Sequence, residues 1–385
     1  MKIGIDARLW NEGGVGRYIR NLIKQIQPLD KSNLYTLFVL SKDYESIKYE
    51  VSSIKEENWE LIKTNIRWHS IEEQLKFANI LNKEELDLVH FPYISVPLNY
   101  QKPFIITIHD LIPYHYPSSN ASALPFPIYF LKLLAYKFVV RAAARKAQKI
   151  IAPSNFTKKE IVEHLKIDPR KVIVTYEGVN SKITNSKSQI PKKSQNTKYK
   201  ILNTKYFLYV GNAFPHKNLE VLIEAFNLFR QEHPGIFLVF VGKEDFFYSR
   251  LKNEVYKRKI SDVVFLHNII DGQLVSLYRS AIAFVSPSLM EGFGLPVLEA
   301  MVNRCLVLAS DIPTHREICG KVALYFDPNN VGDLTQKLES IHSNDMYYYS
   351  EKKRGFDRAK VFSWEKMARE TLKIYESCVG LRQSE

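Results

Sequence analysis

The sequence predicts an α/β protein of two doubly wound domains, each with a parallel sheet covered on both faces by helices. Short apolar segments alternate with helical patterns from residue 2 to residue 176, and the same alternation starts again near residue 206. A polar segment separates the two series. The 385 residues suffice for two domains, and a hydrophobic share of 45% excludes a disordered protein.

The first domain is predicted from six apolar segments with strand character. They lie at residues 2–5, 34–40, 86–91, 104–108, 150–152 and 172–176. A glycine-containing turn and a helical pattern over residues 16–26 follow the first of them. Strands separated by helical stretches are typical of βαβ units, which make the strands parallel in one sheet.

The second domain is predicted in the same way. Its strands are expected at residues 207–210, 237–241, 263–266, 283–285, 306–309 and 323–326. An amphipathic helix at residues 219–231 follows the first of these strands. Open parallel sheets bind ligands at the carboxyl ends of their strands, so the loops after the strands are the candidate site positions.

The domain boundaries follow from composition. Residues 181–205 are rich in Ser, Lys, Asn and Thr and have little apolar periodicity, which predicts a surface linker. An N-terminal domain is therefore expected at residues 1–180 and a C-terminal domain at residues 206–362. Residues 363–385 are predicted as a terminal helix that crosses back to the N-terminal domain.

The formal net charge of +13 is concentrated in one stretch of the chain. Residues 101–200 carry 18 basic and 5 acidic side chains, whereas residues 1–100 and 201–385 are nearly neutral. Such an excess indicates an anionic partner, which can be a nucleic acid, an anionic lipid surface or a phosphorylated substrate.

Part of the excess falls on one predicted helix. Lys137, Arg141 and Arg145 recur at four-residue spacing and so share a helix face, with apolar residues nearby. Such a helix either lies in a membrane interface or packs on the sheet with a solvated basic face.

Cysteine usage and the N-terminus bear on the compartment. Cys305, Cys319 and Cys378 are odd in number and lack metal-ligand spacing, which predicts a reducing compartment and no disulfide framework. The N-terminus starts directly as a short strand, so no signal peptide is expected. No uncharged apolar run reaches about 18 residues, so no transmembrane helix is expected either. The histidine spacing predicts no metal site.

Residues 286–301 form the most informative motif. Gly292 and Gly294 permit a tight loop with exposed backbone N–H groups, and Pro296 suits the first turn of a helix. Such a helix start binds anionic oxygens. Glu291 and Glu299 can accept hydrogen bonds from two sets of hydroxyls, as a sugar nucleotide offers. The alternative is a helix start with one stabilising acid and one solvated glutamate.

Three other loops carry candidate residues. Lys217 follows a strand that ends at Gly211, and it either faces a ligand or is a solvated lysine at a helix start. Gly14 and Arg17 follow the first strand, in a turn whose spacing is not that of the dinucleotide-binding motif. His109, at another strand's carboxyl end, either binds a ligand or is a buried histidine satisfied by the backbone.

These motifs resemble those of one family. Glu291 and Glu299, separated by seven residues that include a Gly-Phe-Gly-Leu-Pro core, resemble the donor-site motif of retaining glycosyltransferase family 4. The resemblance covers nearly the whole chain. It extends over His109-Asp110, residues 152–154, 210–211, 217–218, 310–313 and 362–364. Residues 108–113 are most similar to the mannosyltransferase-like branch, which builds O-antigen and other surface polysaccharides.

The resemblance implies a fold and a set of roles. The fold is GT-B, in which two Rossmann-like domains face a central cleft, the N-terminal one on the acceptor side. Glu299 would bind the ribose hydroxyls of the donor, and Glu291 would contact the transferred sugar and stabilise positive charge on its reacting face. The loop residues expected to bind phosphate or sugar oxygens are Gly292, Phe293, Gly294 and Leu295.

Further roles follow from the same resemblance. Lys217 would neutralise the leaving diphosphate. Family members usually pair this lysine with an arginine, but Asn212 and His216 stand where it is expected. Either His216 substitutes, protonated beside the phosphate, or another cation helps.

In the N-terminal domain, the resemblance makes His109 a catalytic donor-site residue and Gly14 a position of close approach to the donor. Arg17 would contact phosphate or acceptor. The acceptor nucleophile would attack from the leaving-group face, with a donor phosphate oxygen taking its proton. Because Lys217 and backbone amides would stabilise the leaving diphosphate, no divalent metal is expected to be required.

The sequence thus predicts a hexosyltransferase that uses a nucleotide-diphosphate sugar, with GDP-mannose as the first guess and a UDP-sugar as an open possibility. The acceptor is expected to be a glycan or a lipid-linked molecule. The enzyme is expected in the cytoplasm, peripheral on the inner face of the cytoplasmic membrane, and its oligomeric state is open. The alternatives are another GT-B enzyme, such as an epimerase or a phosphorylase, a sugar-nucleotide binder without activity, or a nucleic-acid-binding protein. Aromatic RNA-binding motifs and zinc spacing are absent from the sequence, so no nucleic-acid partner is expected.

Overall fold

The structure is a computed structural model that describes residues 1–52, 58–117, 126–179, 201, 204–344 and 348–380. The chain divides into two compact units. Unit 1 comprises Met1–His115, Phe126–Gly178 and Ser363–Glu385, and unit 2 comprises Tyr116–Pro125 and Val179–Phe362. Most of the predicted linker, residues 181–205, lies outside the described residues.

Unit 1 contains a parallel seven-stranded sheet. Its strands are β1 (Lys2–Asp6), β2 (Leu34–Leu40), β3 (Trp59–Thr64), β4 (Leu88–Phe91), β5 (Phe104–Thr107), β6 (Ile150–Ala152) and β7 (Val172–Val174). The spatial order is β3-β2-β1-β4-β5-β6-β7. The six predicted strands are present, whereas β3 was not predicted. It is an edge strand, only Thr64 in it is buried, and Glu60 and Lys63 interrupt its apolar residues.

Helices cover the sheet of unit 1. They are α1 (Gly13–Leu29), α2 (Tyr44–Ser52), α3 (Ala78–Lys83), α4 (Ile112–His115), α5 (Phe126–Lys146) and α6 (Asn155–Leu165). A π-helical turn, Glu73–Phe77, precedes α3. The side chain of Ser154 accepts a hydrogen bond from the Thr157 N–H and so caps α6.

Unit 2 contains a parallel six-stranded sheet. Its strands are β8 (Lys205–Val210), β9 (Ile236–Val241), β10 (Val263–Leu266), β11 (Ala283–Ser286), β12 (Leu306–Ser310) and β13 (Leu324–Phe326). The spatial order is β10-β9-β8-β11-β12-β13. All six predicted strands are present. Strands buried on both faces of a sheet need near-continuous apolar runs, such as Phe207–Leu208, and such runs are visible in the sequence.

The helices of unit 2 alternate with its strands. They are α7 (Leu219–Glu232), α8 (Phe246–Lys257), α9 (Asp271–Ser280), α10 (Leu295–Val302), α11 (Pro313–Cys319), α12 (Val331–Ser343) and α13 (Tyr349–Ala359). The last helix of the chain, α14 (Trp364–Gly380), groups with unit 1 and packs against α1. The buried Tyr375 hydroxyl of α14 lies 2.7 Å from Nδ1 of His90 in β4, which ties the helix to the sheet.

The strand order reverses once in each sheet, and this point positions the candidate sites. In unit 1, β1 lies between β2 and β4, and in unit 2, β8 lies between β9 and β11. Doubly wound sheets bind ligands outside the carboxyl ends of the strands at such a reversal. The loops after β8 and β11 carry Lys217 and Glu291, so the sequence motifs fall where this topology places a site.

None of the helices in the described ranges is both long and apolar enough to cross a membrane.

Candidate functional site

The centre of the unit 2 site is an ion pair between the loops that follow β8 and β11. Nζ of Lys217 donates to Oε1 of Glu291 at 2.6 Å, and Oγ of Ser288 donates to the same oxygen at 2.7 Å. Oγ1 of Thr314 donates to the backbone carbonyl of Glu291 at 2.6 Å. The side chains of Lys217 and Glu291 are only 15% and 14% exposed, so both charges are held in one geometry with little water around them.

Glu291 is ionised in this environment. Burial alone would raise the pKa of its carboxyl group, but Lys217, His315 and the Ser288 hydroxyl outweigh burial and lower the pKa to about 2. The site therefore holds a carboxylate that stays ionised at neutral pH and faces the Lys217 side chain.

The loop after Glu291 has the backbone geometry that its glycines predict. Gly294 precedes the first residue of α10 with φ 93°, where a side chain would be strained, and a proline occupies the first turn. The ring of Phe293 is buried and contacts Phe362 at 5.8 Å between centroids, which anchors the loop. Leu295 begins the helix, so Gly292, Phe293 and Gly294 lie directly at its positive end.

Glu299 lies about one turn into α10 and has a different partner from Glu291. The hydroxyl of Tyr278, on α9, donates to Oε2 of Glu299 at 3.2 Å. Both motif glutamates thus lie in unit 2. Glu291 is held by the Lys217 ammonium group and Glu299 by the Tyr278 hydroxyl.

The loop after β8 holds Lys217 through buried contacts. The carbonyl of Gly211 accepts a hydrogen bond from the Tyr248 hydroxyl at 2.8 Å, and the carbonyl of Asn212 accepts one from Tyr209 at 2.6 Å. The carbonyl of His216 accepts the Leu289 N–H at 2.8 Å, which joins this loop to the glutamate loop.

The His216 ring is buried and uncharged. Burial and the neighbouring Lys217 lower the pKa of its imidazole to about 4. His216 is therefore neutral at pH 7 rather than protonated as one of the two expectations had it, and Lys217 is the cation that faces Glu291.

The candidate residue His109 of unit 1 lies just beyond β5. Nδ1 of His109 lies 3.1 Å from Oε1 of Glu177, and Nε2 lies 3.0 Å from the carbonyl oxygen of Pro92. The Tyr18 ring packs edge-on against the imidazole with centroids 4.9 Å apart. Burial alone would lower the pKa of His109, but Glu177 and the Pro92 carbonyl raise it above its ordinary value. His109 is thus a buried imidazole held toward its protonated form.

Gly14 and Arg17 lie in the first turns of α1. A Cβ atom added at Gly14 would meet no atom within 4 Å, so packing against the described residues does not require glycine there. At Gly16, by contrast, a Cβ atom would lie 2.3 Å from the carbonyl oxygen of Trp10. The conformation of this turn therefore depends on Gly16, while Gly14 leaves open space.

Two family models match the chain. The family model described as Glycosyltransferase Family 4 matches residues 12–182, and the one described as Glycosyl transferases group 1 matches residues 191–358. The chain belongs to glycosyltransferase family 4. It is therefore an enzyme that transfers glycosyl groups.

Two curated relatives are informative about this glycosyltransferase. The O-antigen chain mannosyltransferase RfbU of Salmonella typhimurium is 29% identical over 275 residues, which is 71% of this chain and 68% of the relative. An uncharacterized glycosyltransferase of Methanocaldococcus jannaschii is 26% identical over 94% of each chain.

Solved structures agree in fold. The crystal structure of Anabaena HepE in complex with UDP and glucose superposes with a TM-score of 0.73. The superposition covers 98% of this glycosyltransferase and 100% of HepE at 16% sequence identity. Two Rossmann-like units in one chain constitute the GT-B fold, which confirms the predicted fold class.

The basic residues of α5 lie beside exposed apolar side chains. Nη2 of Arg141 donates to the carbonyl of His164 at 3.1 Å, and Nζ of Lys137 lies 5.0 Å from the ring centroid of Tyr114. Arg145 is exposed. The apolar side chains exposed on the same helix are Ile128, Phe130, Leu131, Leu134 and Phe138.

Several site residues of the glycosyltransferase were not predicted. In unit 2 these are Ser288, Thr314, His315 and Tyr278, and in unit 1 it is Glu177. His315 lies with Nε2 3.2 Å from Oγ of Ser286 and Nδ1 3.1 Å from Oγ of Ser310. Glu177 lies three residues beyond the end of β7. This position after a strand was the one feature of the sequence that could have indicated it as a site residue.

One cluster in the described ranges could hold a metal ion. It consists of His115, Glu160 and His164, all in unit 1. The histidine spacing had predicted no such site.

Proposed function

We propose that this glycosyltransferase moves a mannosyl group from a nucleotide-diphosphate mannose to a glycan or lipid-linked acceptor, with retention of the anomeric configuration. The observation that carries the proposal is the Lys217–Glu291 pair, which places an ammonium and a carboxylate at the strand-order reversal of unit 2. The choice of mannose and of surface polysaccharide as product rests on the O-antigen mannosyltransferase relative.

Lys217 and the start of α10 are assigned to the donor diphosphate. Departure of a nucleoside diphosphate leaves negative charge on phosphate oxygens, which a fixed ammonium and free backbone N–H groups stabilise. In this assignment Lys217 turns from Glu291 toward the phosphate when the donor binds. The backbone of Gly292, Phe293 and Gly294 contributes the N–H groups.

The two glutamates are assigned to different parts of the donor. Glu299 accepts hydrogen bonds from the ribose hydroxyls, and its Tyr278 partner fixes the carboxylate for that purpose. Glu291, released from Lys217, faces the transferred sugar and stabilises positive charge that develops on its reacting carbon. A donor phosphate oxygen takes the acceptor proton, and no step in this scheme uses a divalent metal.

Unit 1 is assigned to the transferred sugar and to the acceptor. His109 contacts a sugar hydroxyl through Nε2, in exchange for the Pro92 carbonyl, while Glu177 keeps hold of Nδ1. Gly14 offers open space for close approach of the donor, and Arg17 contacts the acceptor or a phosphate group.

Helix α5 is assigned to an anionic membrane surface, which would place the enzyme on the inner face of the cytoplasmic membrane. Leu131 and Phe138 are 66% and 67% exposed, and Phe138 lies about one turn before Arg141 on the same helix. Apolar side chains insert at the headgroup boundary, and nearby cations bind anionic lipids. A lipid-linked acceptor would be met at the same surface.

A thermal-shift panel tests the donor assignment. We expect GDP-mannose to raise Tm more than GDP-glucose, UDP-glucose or UDP-N-acetylglucosamine, because a ligand stabilises in proportion to the logarithm of its concentration over Kd. Glu299→Gln should reduce the shift, whereas Glu254→Gln, at a half-exposed position of α8, should leave it unchanged. A wild-type Tm that no nucleotide sugar changes would contradict the donor site. A larger shift with a UDP-sugar would replace the GDP-mannose assignment.

A further inference from the structure

A buried carboxylate on α6 lies between two histidines. Glu160 is buried, Nε2 of His115 forms a short hydrogen bond to its Oε2, and Nε2 of His164 lies 3.4 Å from the same oxygen. Potential ligand atoms of the three residues all lie within 4.8 Å of one another. Glu160 and His164 are one helical turn apart, and His115 is the last residue of α4.

The charge of Glu160 has an unusual set of partners. Within the described part of the chain, both of its ion-pair partners are histidines, and neither a lysine nor an arginine pairs with it. A buried carboxylate needs a compensating charge. Here that charge is either a proton shared with an imidazole or a metal ion bound by all three side chains.

The ligand set and spacing suit zinc. Two imidazoles and one carboxylate, with a fourth position left to water, are the protein ligands of many zinc sites. Ligand atoms about 2.1 Å from a tetrahedral ion lie about 3.4 Å apart. The distance between Oε2 of Glu160 and Nε2 of His164 is 3.4 Å. Nε2 of His115, which is in a short hydrogen bond to the same oxygen, would move away from that oxygen to bind the ion.

The approach to the cluster is also suitable. The His115 and His164 rings are perpendicular, with centroids 4.8 Å apart, so their nitrogens reach the carboxylate from different directions. Their side chains are 34% and 37% exposed, which gives an ion access from solvent.

We propose that His115, Glu160 and His164 bind Zn²⁺ and thereby clamp α4 to α6. The chain segment from His109 to His115, which ends in α4, already contacts α6 at its beginning. There Oγ1 of Thr157, on the same face of α6, donates to the carbonyl of His109 at 3.4 Å. The clamp would fix the chain between His109 and His115 at both ends. The ion takes no part in glycosyl transfer, so the proposal is independent of the donor and acceptor assignments.

Co²⁺ titration of the full chain, freed of its purification tag and stripped of metal by a chelator, tests the site. We expect one Co²⁺ per chain, a visible absorption band typical of tetrahedral coordination, and displacement of that band by Zn²⁺. Zn²⁺ should also raise Tm of the stripped protein. Absence of the band together with absence of a Tm shift would overturn the proposal.

Variants separate a metal site from a cluster held only by hydrogen bonds. Glu160→Gln keeps a hydrogen-bond acceptor for the histidines but is a poor metal ligand. It should weaken Co²⁺ binding by more than about 100-fold, because loss of a ligand exceeds the 10–100-fold effect of losing an outer partner. His164→Ala should behave alike, and Glu163→Gln, on the same helix beside Lys159, is the matched control.

Circular dichroism of each metal-stripped variant shows whether it is folded. If Glu160→Gln does not fold, a folded His164→Ala variant is enough to test Co²⁺ binding. Co²⁺ binding as tight in either folded variant as in the wild type would overturn the proposal. So would equal weakening in Glu163→Gln, since that residue lies outside the cluster.

Discussion

The candidate sites of the two units each contain an ion pair, but the pKa that is shifted belongs to the acid in unit 2 and to the base in unit 1. In unit 2, Glu291 faces Lys217, and the pKa of the carboxyl group is lowered to about 2. In unit 1, His109 faces Glu177, and the pKa of the imidazole is raised. Both pairs lie beyond the carboxyl ends of parallel strands in sheets of the same doubly wound type.

The difference determines which unit responds to pH. The lowered pKa of Glu291 keeps its carboxylate charged throughout the neutral range, so this charge of the unit 2 pair does not change with pH there. Histidine changes its charge closest to physiological pH, so the unit 1 pair loses its charge as pH rises through the raised pKa of His109. The same type of sheet thus holds a pair whose carboxylate charge is constant near neutral pH in unit 2, and a pair whose imidazole charge changes with pH in unit 1.

The largest effect is expected from Glu291→Gln, which removes the carboxylate but keeps its size. Turnover should fall by about 10²–10³-fold, the range seen when one preorganised electrostatic group is lost. Donor binding should persist, because Lys217 is then free for the diphosphate. Steady-state kinetics beside a thermal shift with donor measures both quantities.

The control for this variant is Glu254→Gln, which neutralises a half-exposed carboxylate of the same unit. It should retain wild-type turnover. Unchanged turnover in Glu291→Gln would show that the ion pair of unit 2 is structural rather than catalytic.

The sequence revealed the unit 2 site better than the unit 1 site, for a physical reason. Gly292, Gly294 and Glu291 act within a few residues of one another, and local backbone needs are visible in a local pattern. The pair of His109 and Glu177 joins positions 68 residues apart, and only the order of strands in the folded sheet brings them together.

The same reasoning applies to the fold and to the metal cluster. Buried strands such as β8 are continuous apolar runs, so they were predicted, whereas the half-exposed edge strand β3 was not. His115 and Glu160 are 45 residues apart, so spacing alone could not show the cluster. The grouping of Tyr116 with unit 2, where its ring lies 6.4 Å from that of His216, likewise depends on tertiary contacts.

A second, intermediate effect concerns the basic face of α5. Arg141→Gln with Arg145→Gln should weaken binding to phosphatidylserine-containing vesicles by about 30-fold, since each cation near an anionic surface contributes about 1 kcal/mol. Vesicle cosedimentation at low salt measures the affinity.

The matched control removes two exposed cations from unit 2, with Arg250→Gln and Lys257→Gln on α8. Equal weakening in the control would show a response to total charge alone. No weakening in the α5 variant would leave its basic face merely solvated.

The smallest effect is expected from Glu177→Gln, and it should depend on pH. A histidine whose pKa is raised on folding stabilises the folded state fully below its unfolded value of about 6.5, and the contribution is lost as pH rises through the folded value. Without Glu177, the pKa of His109 falls, because burial is then opposed only by the Pro92 carbonyl and Asp110. The free energy of unfolding should therefore differ most between wild type and variant near pH 6, by about 1.4 kcal/mol per unit of pKa change.

Urea unfolding from pH 6 to pH 9 measures this difference, and NMR of labelled histidines reports the His109 titration directly. The difference should shrink as pH rises, because neutral His109 leaves Glu177 as a buried carboxylate that has lost its cationic partner. Glu163→Gln, an exposed carboxylate paired with Lys159, should show no such trend. A difference that is constant across the pH range would mean that the His109–Glu177 contact carries no charge, and that neither unit responds to pH through its site.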